Sequence, residues 1–215
     1  MTAAGDLCRD LRLYLVTDQA LCRGRTLADV VDAAVQGGAT CVQLREKQLS
    51  TRELLDQALA LKALLAPRGI PLVINDRIDV ALACGAEGVH LGQSDMPAQE
   101  ARRLLPRHVF IGWSVETPED VLRSAQLPVD YLGVSPVFAT ATKTDTKTPW
   151  GLDGLRRVRE MTRLPLVAIG GIHAGNAAQV MAAGADGLAV VSALCSADDP
   201  CAAARAMQEG MAGHV

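Results

Sequence analysis

Short apolar runs recur along this chain, and segments with helical periodicity separate them. The runs are apolar on both faces, which is typical of parallel strands that are covered on both sides of a sheet. The predicted strands comprise residues 13–17, 41–45, 71–74, 88–91, 109–112, 131–134, 166–169 and 187–191.

The segments between these runs show the signals of amphipathic helices. Two apolar stripes at helical spacing are formed by Leu27, Val30, Val31 and Ala34, and by Leu54, Leu55, Ala58, Leu61 and Leu65. Helix starts are predicted at Thr26, Ser50, Thr117 and Asp199, where a capping side chain is present and proline follows two of the four. Three joints from helix to strand repeat a glycine–alanine pattern, at residues 37–42, 85–89 and 184–188, and predict a left-handed glycine followed by a tightly packed alanine.

Strand–helix units without a break in composition predict an α/β protein of one domain, a TIM (β/α)₈ barrel over residues 1–215, with residues 1–10 as an N-terminal extension. A doubly wound open sheet is the alternative. It is less favoured because the first unit has no glycine-rich dinucleotide motif, and because eight units are what closure requires.

Composition limits the classes of partner and the cellular compartment that are expected for this protein. A net charge of −3 and an aromatic content of 3% count against nucleic acid and anionic membranes as partners. Six cysteines without a CxxC pair are expected to be packed as reduced thiols. The first residues lack a secretory signal pattern and no apolar run would span a bilayer, so a cytoplasmic protein acting on small molecules is expected. A homo-oligomer is possible.

Polar groups follow most of the strands and would converge on one face of a barrel, the face that carries active sites. Arg45 and Lys47 occupy alternate positions beside Gln43, where an arginine fork and a lysine charge would suit a diphosphate. The alternative is a solvated turn in which Glu46 neutralises both cations.

Two aspartates follow neighbouring strands. Asp76, after Asn75, and Asp95 could together hold one Mg²⁺, which takes one or two carboxylates, water and phosphate oxygens. The alternatives are that Asp76 only caps a helix and that Asp95 only forms a turn before Pro97.

A second polar region follows the later strands. The connection at residues 139–150 carries Thr140, Thr142 and Lys143 and is predicted to be a lid, with an ordinary surface loop as the alternative. Gly171, after the seventh strand, and Val191 with Ser192, after the eighth, lie where barrels often bind phosphate.

Histidines contribute little to this interpretation. His90 lies within a predicted strand and is expected to be a packed core residue, and no Ser-His-Asp set or other activated nucleophile is evident.

In order and spacing, the motifs at residues 13–18, 43–47, 74–76, 89–95, 112–114, 140–143 and 169–172 are similar to those of bacterial thiamine-phosphate synthases over nearly the whole chain. Ser135 and Ala139 depart from the glycine and proline common in that family, which puts the conformation of the lid in doubt.

The resemblance implies a transferase of thiamine biosynthesis that couples a hydroxymethylpyrimidine diphosphate to a thiazole phosphate and releases pyrophosphate through a dissociative, magnesium-assisted reaction. By this resemblance Gln43, Arg45, Lys47, Asn75 and Lys143 contact the pyrimidine substrate, and Ser114 lies near the leaving pyrophosphate. Asp76 and Asp95 hold Mg²⁺. Thr140, Thr142, Gly171, Val191 and Ser192 hold the thiazole phosphate.

Two alternatives remain at this point. A related thiazole tautomerase would share the barrel but lack much of the diphosphate machinery, which is present here. A non-catalytic phosphate-binding barrel would have little reason to keep both aspartates and the lid lysine.

Overall fold

A computed structural model describes residues 4–140 and 148–212, with no side-chain description for residues 4–6. Eight parallel strands form a closed barrel in sequence order. They are β1 (Leu13–Val16), β2 (Cys41–Leu44), β3 (Leu72–Asn75), β4 (Gly88–Leu91), β5 (Phe110–Val115), β6 (Tyr131–Val134), β7 (Leu166–Ile169) and β8 (Gly187–Val190). The first strand pairs with the last in the register Leu13↔Leu188, so the predicted barrel is confirmed and the open sheet is wrong.

Helices surround the barrel and alternate with its strands. The described helices are α1 (Ala4–Asp10), α2 (Leu27–Gln36), α3 (Thr51–Leu65), α4 (Ile78–Cys84), α5 (Ala98–Leu104), α6 (Pro118–Ser124), α7 (Gly151–Met161), α8 (Ala174–Ala182), α9 (Ser192–Cys195) and α10 (Pro200–Ala212).

The predicted helix starts agree with the structure. Thr26 accepts a hydrogen bond from Asp29 N–H at 3.1 Å. Ser50 and Thr117 each form a capping box. Asp199 accepts from Ala202 N–H at 3.0 Å before α10.

Strand boundaries agree closely with prediction, with one exception that concerns the site. The strands at 88–91, 131–134 and 166–169 match in full, and most others differ by one residue at an end. Strand β5 extends to Val115 instead of ending at Gly112, so Ser114 lies inside the strand and not after it. Asn75 is likewise the last residue of β3.

Side chains alternate between two cores, as the pleat requires. On β1, Leu13 and Leu15 point outward to the large core between barrel and helices. Tyr14 and Val16 point inward and join a smaller interior cluster that includes Tyr131. The interior is therefore where polar groups on different strands can meet.

Glycine behaves as predicted at all three repeated joints. The glycine before the alanine is left-handed in each: Gly38 (φ 110°), Gly85 (φ 66°) and Gly184 (φ 106°), whereas Gly37 is not. Gly37 is instead needed for space, because a Cβ there would lie 2.8 Å from the Cβ of Ala204 on α10. The alanine that follows the left-handed glycine in each joint is buried, as predicted.

Part of the segment predicted as an N-terminal extension forms α1. Leu7 is buried in the interior cluster together with Leu11 and Tyr14, so this helix packs against the barrel. All six cysteines are free thiols, and four are buried. In residues 4–140 and 148–212, every helix is too short or too polar to cross a bilayer.

Candidate active site

A cavity of about 330 Å³ opens where the strands end, within the size range of small-molecule sites. Sequence-predicted residues from both halves of the chain line it together: Gln43, Arg45, Lys47, Asn75, Asp76, Asp95, Ser114, Thr140, Gly171, Val191 and Ser192. Two predicted lid residues, Thr142 and Lys143, lie outside the described residues. The barrel thus brings the two predicted polar regions to one cavity.

Arg45 and Lys47 line the cavity and have no close anionic partner in the described part of the chain. Glu46 does not neutralise them, because its carboxylate accepts hydrogen bonds from Thr17 Oγ1 at 2.8 Å and from Gln19 N–H at 3.1 Å. Neither cationic side chain makes a hydrogen bond or an ion pair within 4.0 Å to the described residues. Among the described residues, the direct contact of Glu46 with both cations that a self-neutralised turn requires is therefore not formed.

Thr17 explains why Glu46 turns away. Its hydroxyl donates to Glu46 and also accepts from the backbone N–H of Arg45 at 3.0 Å. One buried side chain at the end of β1 thus holds the turn after β2, with Arg45 on the cavity wall. Sequence analysis missed this role, because Thr17 was considered only as the end of an apolar strand.

Asp76 has a left-handed backbone, with φ 63°. Arg77 N–H donates to the Asn75 carbonyl at 2.7 Å, so Asp76 is the central residue of a γ-turn. Helix α4 begins at Ile78 with Arg77 at its N-cap, and no side chain caps it. Asp76 is therefore not the helix cap that was considered as an alternative.

Asp95 both forms a turn and faces Asp76. One of its carboxylate oxygens accepts from Gly92 N–H at 2.6 Å, so the interpretation as a turn residue holds in part. Burial, together with the nearby Asp95 carboxylate, raises the pKa of Asp76 to about 6. A carboxylate whose ionisation is opposed by a neighbouring carboxylate marks a site that suits a cation.

The oxygen donors fit a hard divalent ion that completes its shell with other ligands. Residues 4–140 and 148–212 contain no cluster of three or more His, Cys, Asp or Glu side chains that could hold a metal. A carboxylate pair with space for water and phosphate oxygens agrees with magnesium chemistry and not with a zinc site.

Ser114 contacts a histidine inside the barrel. Its Oγ lies 2.9 Å from Nε2 of His90, and Nδ1 of His90 lies 2.9 Å from the Tyr131 hydroxyl. The Tyr131 hydroxyl lies 3.0 Å from that of Tyr14, which accepts from Nε2 of Gln43 at 2.8 Å. The sequence suggested that His90 is only a packed core residue, but both of its ring nitrogens make polar contacts.

These buried hydroxyls are held in their neutral form. Burial raises the pKa of Tyr14 and the pKa of Tyr131 well above their ordinary values. A signal was present in the sequence, since the only two tyrosines of the chain both fall inside predicted strands. A buried tyrosine hydroxyl needs a partner, which the sequence alone did not identify.

The opposite wall of the cavity offers backbone donors. The N–H groups of Gly171 and Ser192 have no hydrogen-bond acceptor among the residues that the structure describes. Ser192 is the first residue of α9, where backbone N–H groups lack helical partners. An anion near both groups would satisfy them.

Glycines at 170 and 171 also let the segment before the predicted lid come close. Both have positive φ, 104° and 64°. Phe138 N–H donates to the Gly170 carbonyl at 3.0 Å, and a Cβ on Gly171 would lie 2.7 Å from the Cβ of Phe138. Packing is therefore a second reason for glycine, in addition to access for an anion.

Comparisons with known proteins agree with this geometry. The family model described as thiamine monophosphate synthase matches residues 13–194. The chain belongs to this family. A thiamine-phosphate synthase of Albidiferax ferrireducens is 74% identical over 97% of this chain and 98% of its own length. Another from Chloroflexus aurantiacus is 53% identical, with 93% and 92% covered.

A solved structure leads to the same conclusion. Thiamine phosphate pyrophosphorylase from Pyrococcus furiosus superposes with a TM-score of 0.88 and 37% identity, covering 96% of this chain and 98% of its own. A 3-hexulose-6-phosphate synthase structure, at 19% identity and a TM-score of 0.68, shares the fold alone. The predicted family and barrel are confirmed, the protein is an enzyme of the transferase class, and neither the tautomerase nor the silent binder is favoured.

Proposed function

We propose that this protein condenses 4-amino-2-methyl-5-hydroxymethylpyrimidine diphosphate with 4-methyl-5-(2-phosphoethyl)thiazole, or its carboxylated form, to give thiamine phosphate and pyrophosphate. Family membership supports this reaction. The observation that carries it is one cavity with two sides that suit anions. Among the described residues, Arg45 and Lys47 have no close anionic partner on one side, and the N–H groups of Gly171 and Ser192 have no acceptor on the other.

On the first side, Arg45 and Lys47 bind the diphosphate. Arginine offers a planar fork that matches phosphate oxygens, and lysine adds a point charge. Gln43 and Asn75, on the neighbouring strands β2 and β3, orient the pyrimidine through their amide groups. Ser114 lies deeper in the cavity and donates to the leaving pyrophosphate.

Asp76 and Asp95 would hold Mg²⁺ on this side. When bound there, the ion would neutralise the negative charge that develops on the leaving diphosphate. The donor set supports this assignment, because two close carboxylates leave room for the water and phosphate oxygens that Mg²⁺ retains.

The reaction needs no protein nucleophile. Pyrophosphate leaves the pyrimidine methyl carbon with the electron pair of the C–O bond, and the thiazole nitrogen captures the resulting cation. Arg45, Lys47 and Ser114 stabilise the departing charge, and the cavity walls hold both rings at reacting distance.

On the second side, Gly171, Val191 and Ser192 bind the thiazole phosphate through backbone N–H groups. Thr140 lines the same cavity and adds a hydroxyl. Thr142 and Lys143 keep their predicted roles in a lid, Thr142 on the thiazole phosphate and Lys143 on the diphosphate.

The test is a condensation assay with purified protein, in which each half-substrate and Mg²⁺ is omitted in turn. Thiamine phosphate and pyrophosphate should appear together, and only when all three components are present. Conversion of a thiazole carboxylate without the pyrimidine would indicate the tautomerase instead. Binding of both halves without any product would leave only a phosphate-binding barrel.

We also propose that the enzyme works in the cytoplasm. Six free cysteines, four of them buried, agree with a reducing compartment. Assembly into a homo-oligomer stays a prediction, which sedimentation of the purified protein would test.

A further inference from the structure

A continuous series of hydrogen bonds crosses the interior of the barrel along the lining of the cavity. We call Gln43, Tyr14, Tyr131, His90 and Ser114 the interior network. Its four contacts are 2.8 Å from Gln43 to Tyr14, 3.0 Å between the tyrosines, 2.9 Å from Tyr131 to His90 and 2.9 Å from His90 to Ser114. It joins residues of β2, β1, β6, β4 and β5.

The barrel makes room for this network. A Cβ on Gly112 would overlap the ring of Tyr131, and a Cβ on Gly133 would lie 2.9 Å from Cε1 of His90. Two inward positions on β5 and β6 are therefore restricted to glycine by the aromatic rings beside them. Both tyrosines are almost wholly buried and Gln43 is 4% exposed, whereas the contact of His90 with Ser114 is partly buried.

The donor and acceptor of each hydrogen bond in the interior network can be assigned by starting from Gln43. Gln43 presents its amide nitrogen to Tyr14, and that group only donates. Tyr14 accepts this bond and donates to Tyr131, which then donates to Nδ1 of His90. The imidazole therefore carries its hydrogen on Nε2 and donates to Oγ of Ser114.

The opposite direction leaves a buried hydrogen without a good acceptor. With the hydrogen on Nδ1, His90 would donate to Tyr131, and Tyr131 would donate to Tyr14. Among the residues with described side chains, the Tyr14 hydroxyl would then be left with the thiol of Cys41, which is a weak acceptor. An unsatisfied buried donor is costly, so the first direction is favoured.

We propose that the interior network fixes the Ser114 hydroxyl as a hydrogen-bond donor toward the cavity, and that His90, Tyr131 and Tyr14 are positioning residues for the reaction. Because Oγ already accepts from His90, the hydroxyl hydrogen is free to point at an anion. This inference rests on the proposed function, in which that anion is the leaving pyrophosphate.

The arrangement has a physical advantage over an isolated serine. A hydroxyl that rotates freely must be oriented during the reaction, whereas a held donor is already aimed at the developing charge. Hydrogen bonds in series also polarise one another, so the acidity of the Ser114 hydroxyl increases slightly. The same geometry distinguishes Ser114 from a nucleophile, because His90 donates to it instead of accepting its proton.

The direct test is the tautomer of His90 in the wild-type protein without substrates. Heteronuclear NMR of the imidazole nitrogens at neutral pH should show hydrogen on Nε2 and none on Nδ1, with the signals assigned by their loss in His90→Asn. Hydrogen on Nδ1 with a bare Nε2, or on both nitrogens, would overturn the proposal. This result does not depend on turnover, so it separates failure of the inference from failure of the proposed function.

The kinetic test removes one hydroxyl. Tyr131→Phe should lower kcat about three- to tenfold, the effect of one lost hydrogen bond, with little change in KM for the thiazole phosphate. In a Ser114→Ala background the same substitution should have no further effect, whereas independent, multiplicative losses would overturn the role through Ser114.

Controls separate positioning from general stability. Ser124→Ala removes another buried hydroxyl, which donates to the Val121 carbonyl at 2.7 Å outside the network, and should leave kcat unchanged. If Tyr131→Phe does not fold, Tyr14→Phe makes the same test one contact further from Ser114. Full activity in that variant would count against the network.

Discussion

Asp76 combines a carboxylate with a backbone conformation that few residues adopt. Its φ of 63° and the γ-turn around it place the side chain toward Asp95 instead of along α4. Such conformations cost free energy and are concentrated at functional sites. Asparagine tolerates the left-handed region as well as aspartate does, which makes a clean substitution possible.

Asp76→Asn and Asp95→Asn should each weaken the apparent affinity for Mg²⁺ by about tenfold or more, because each removes one anionic ligand. Thermal unfolding should change little. The measurement is turnover as a function of Mg²⁺ concentration. Asp79→Asn, an exposed carboxylate on the same segment, is the matched control. Unchanged metal dependence in both variants would remove the assignment.

Arg45 has no close anionic partner among the described residues. Arg45→Gln should raise KM for the pyrimidine diphosphate by about tenfold, the effect of losing a charge-assisted hydrogen bond. Arg45→Lys keeps the charge but not the fork, so its effect should be smaller. Steady-state kinetics with Arg52→Gln as control would measure both, and an unchanged KM in Arg45→Gln would contradict the role.

At the scale of elements, most strand ends could be predicted, but the end of β5 could not. The predicted strand ends at Gly112, whereas β5 ends at Val115. In the barrel, glycine at this position makes space for the ring of Tyr131. The strand therefore continues to Val115, and the Ser114 side chain points into the barrel. This strand end could not be predicted from local sequence, because the reason for glycine at position 112 is packing against a residue far away in the chain.

The turn after β7 provides an element-scale prediction. Gly171→Ala should destabilise the protein by about 1–2 kcal/mol for the left-handed backbone and by more for the contact with Phe138. Gly69→Ala has nearly the same φ, 67°, with nothing within 4 Å of a new Cβ, and isolates the first effect. Urea unfolding of both variants would measure the difference.

The same two variants also test the proposed binding site for the thiazole phosphate. Gly171→Ala should weaken binding of the thiazole phosphate, whereas Gly69→Ala should not. Equal stability of the two variants would show that the segment before the lid adapts to a methyl group without cost.

At the scale of the molecule, closure makes every strand depend on two neighbours. Strand β1 pairs with both β2 and β8, so the first part of the chain completes a barrel whose other strands reach Val190. That residues 1–215 form a single domain stays a prediction, and the cooperativity of unfolding tests it.

Leu13→Ala should cost about 2–5 kcal/mol, because Leu13 is fully buried in the outer core. In a Trp150→Phe background, Trp113 on β5 is the sole tryptophan and reports from the other side of the barrel. Its fluorescence and the far-UV circular dichroism should shift to lower denaturant concentration together, as in a single cooperative unit. Leu122→Ala, at a position 64% exposed, is the control. A fluorescence transition that stays at the wild-type midpoint would indicate separate units.

Local pattern was enough to determine the strands, most of their ends, the helix caps and the face on which Arg45, Asp76 and Gly171 lie. These features depend on residues close together in sequence, and parallel strands bring their ends to one face by symmetry. The interior network was decided only by tertiary structure. Tyr14 and Tyr131 are 117 positions apart, and closure of the barrel alone places their hydroxyls in contact. Periodicity predicts that a side chain points inward, but not which side chain it meets there.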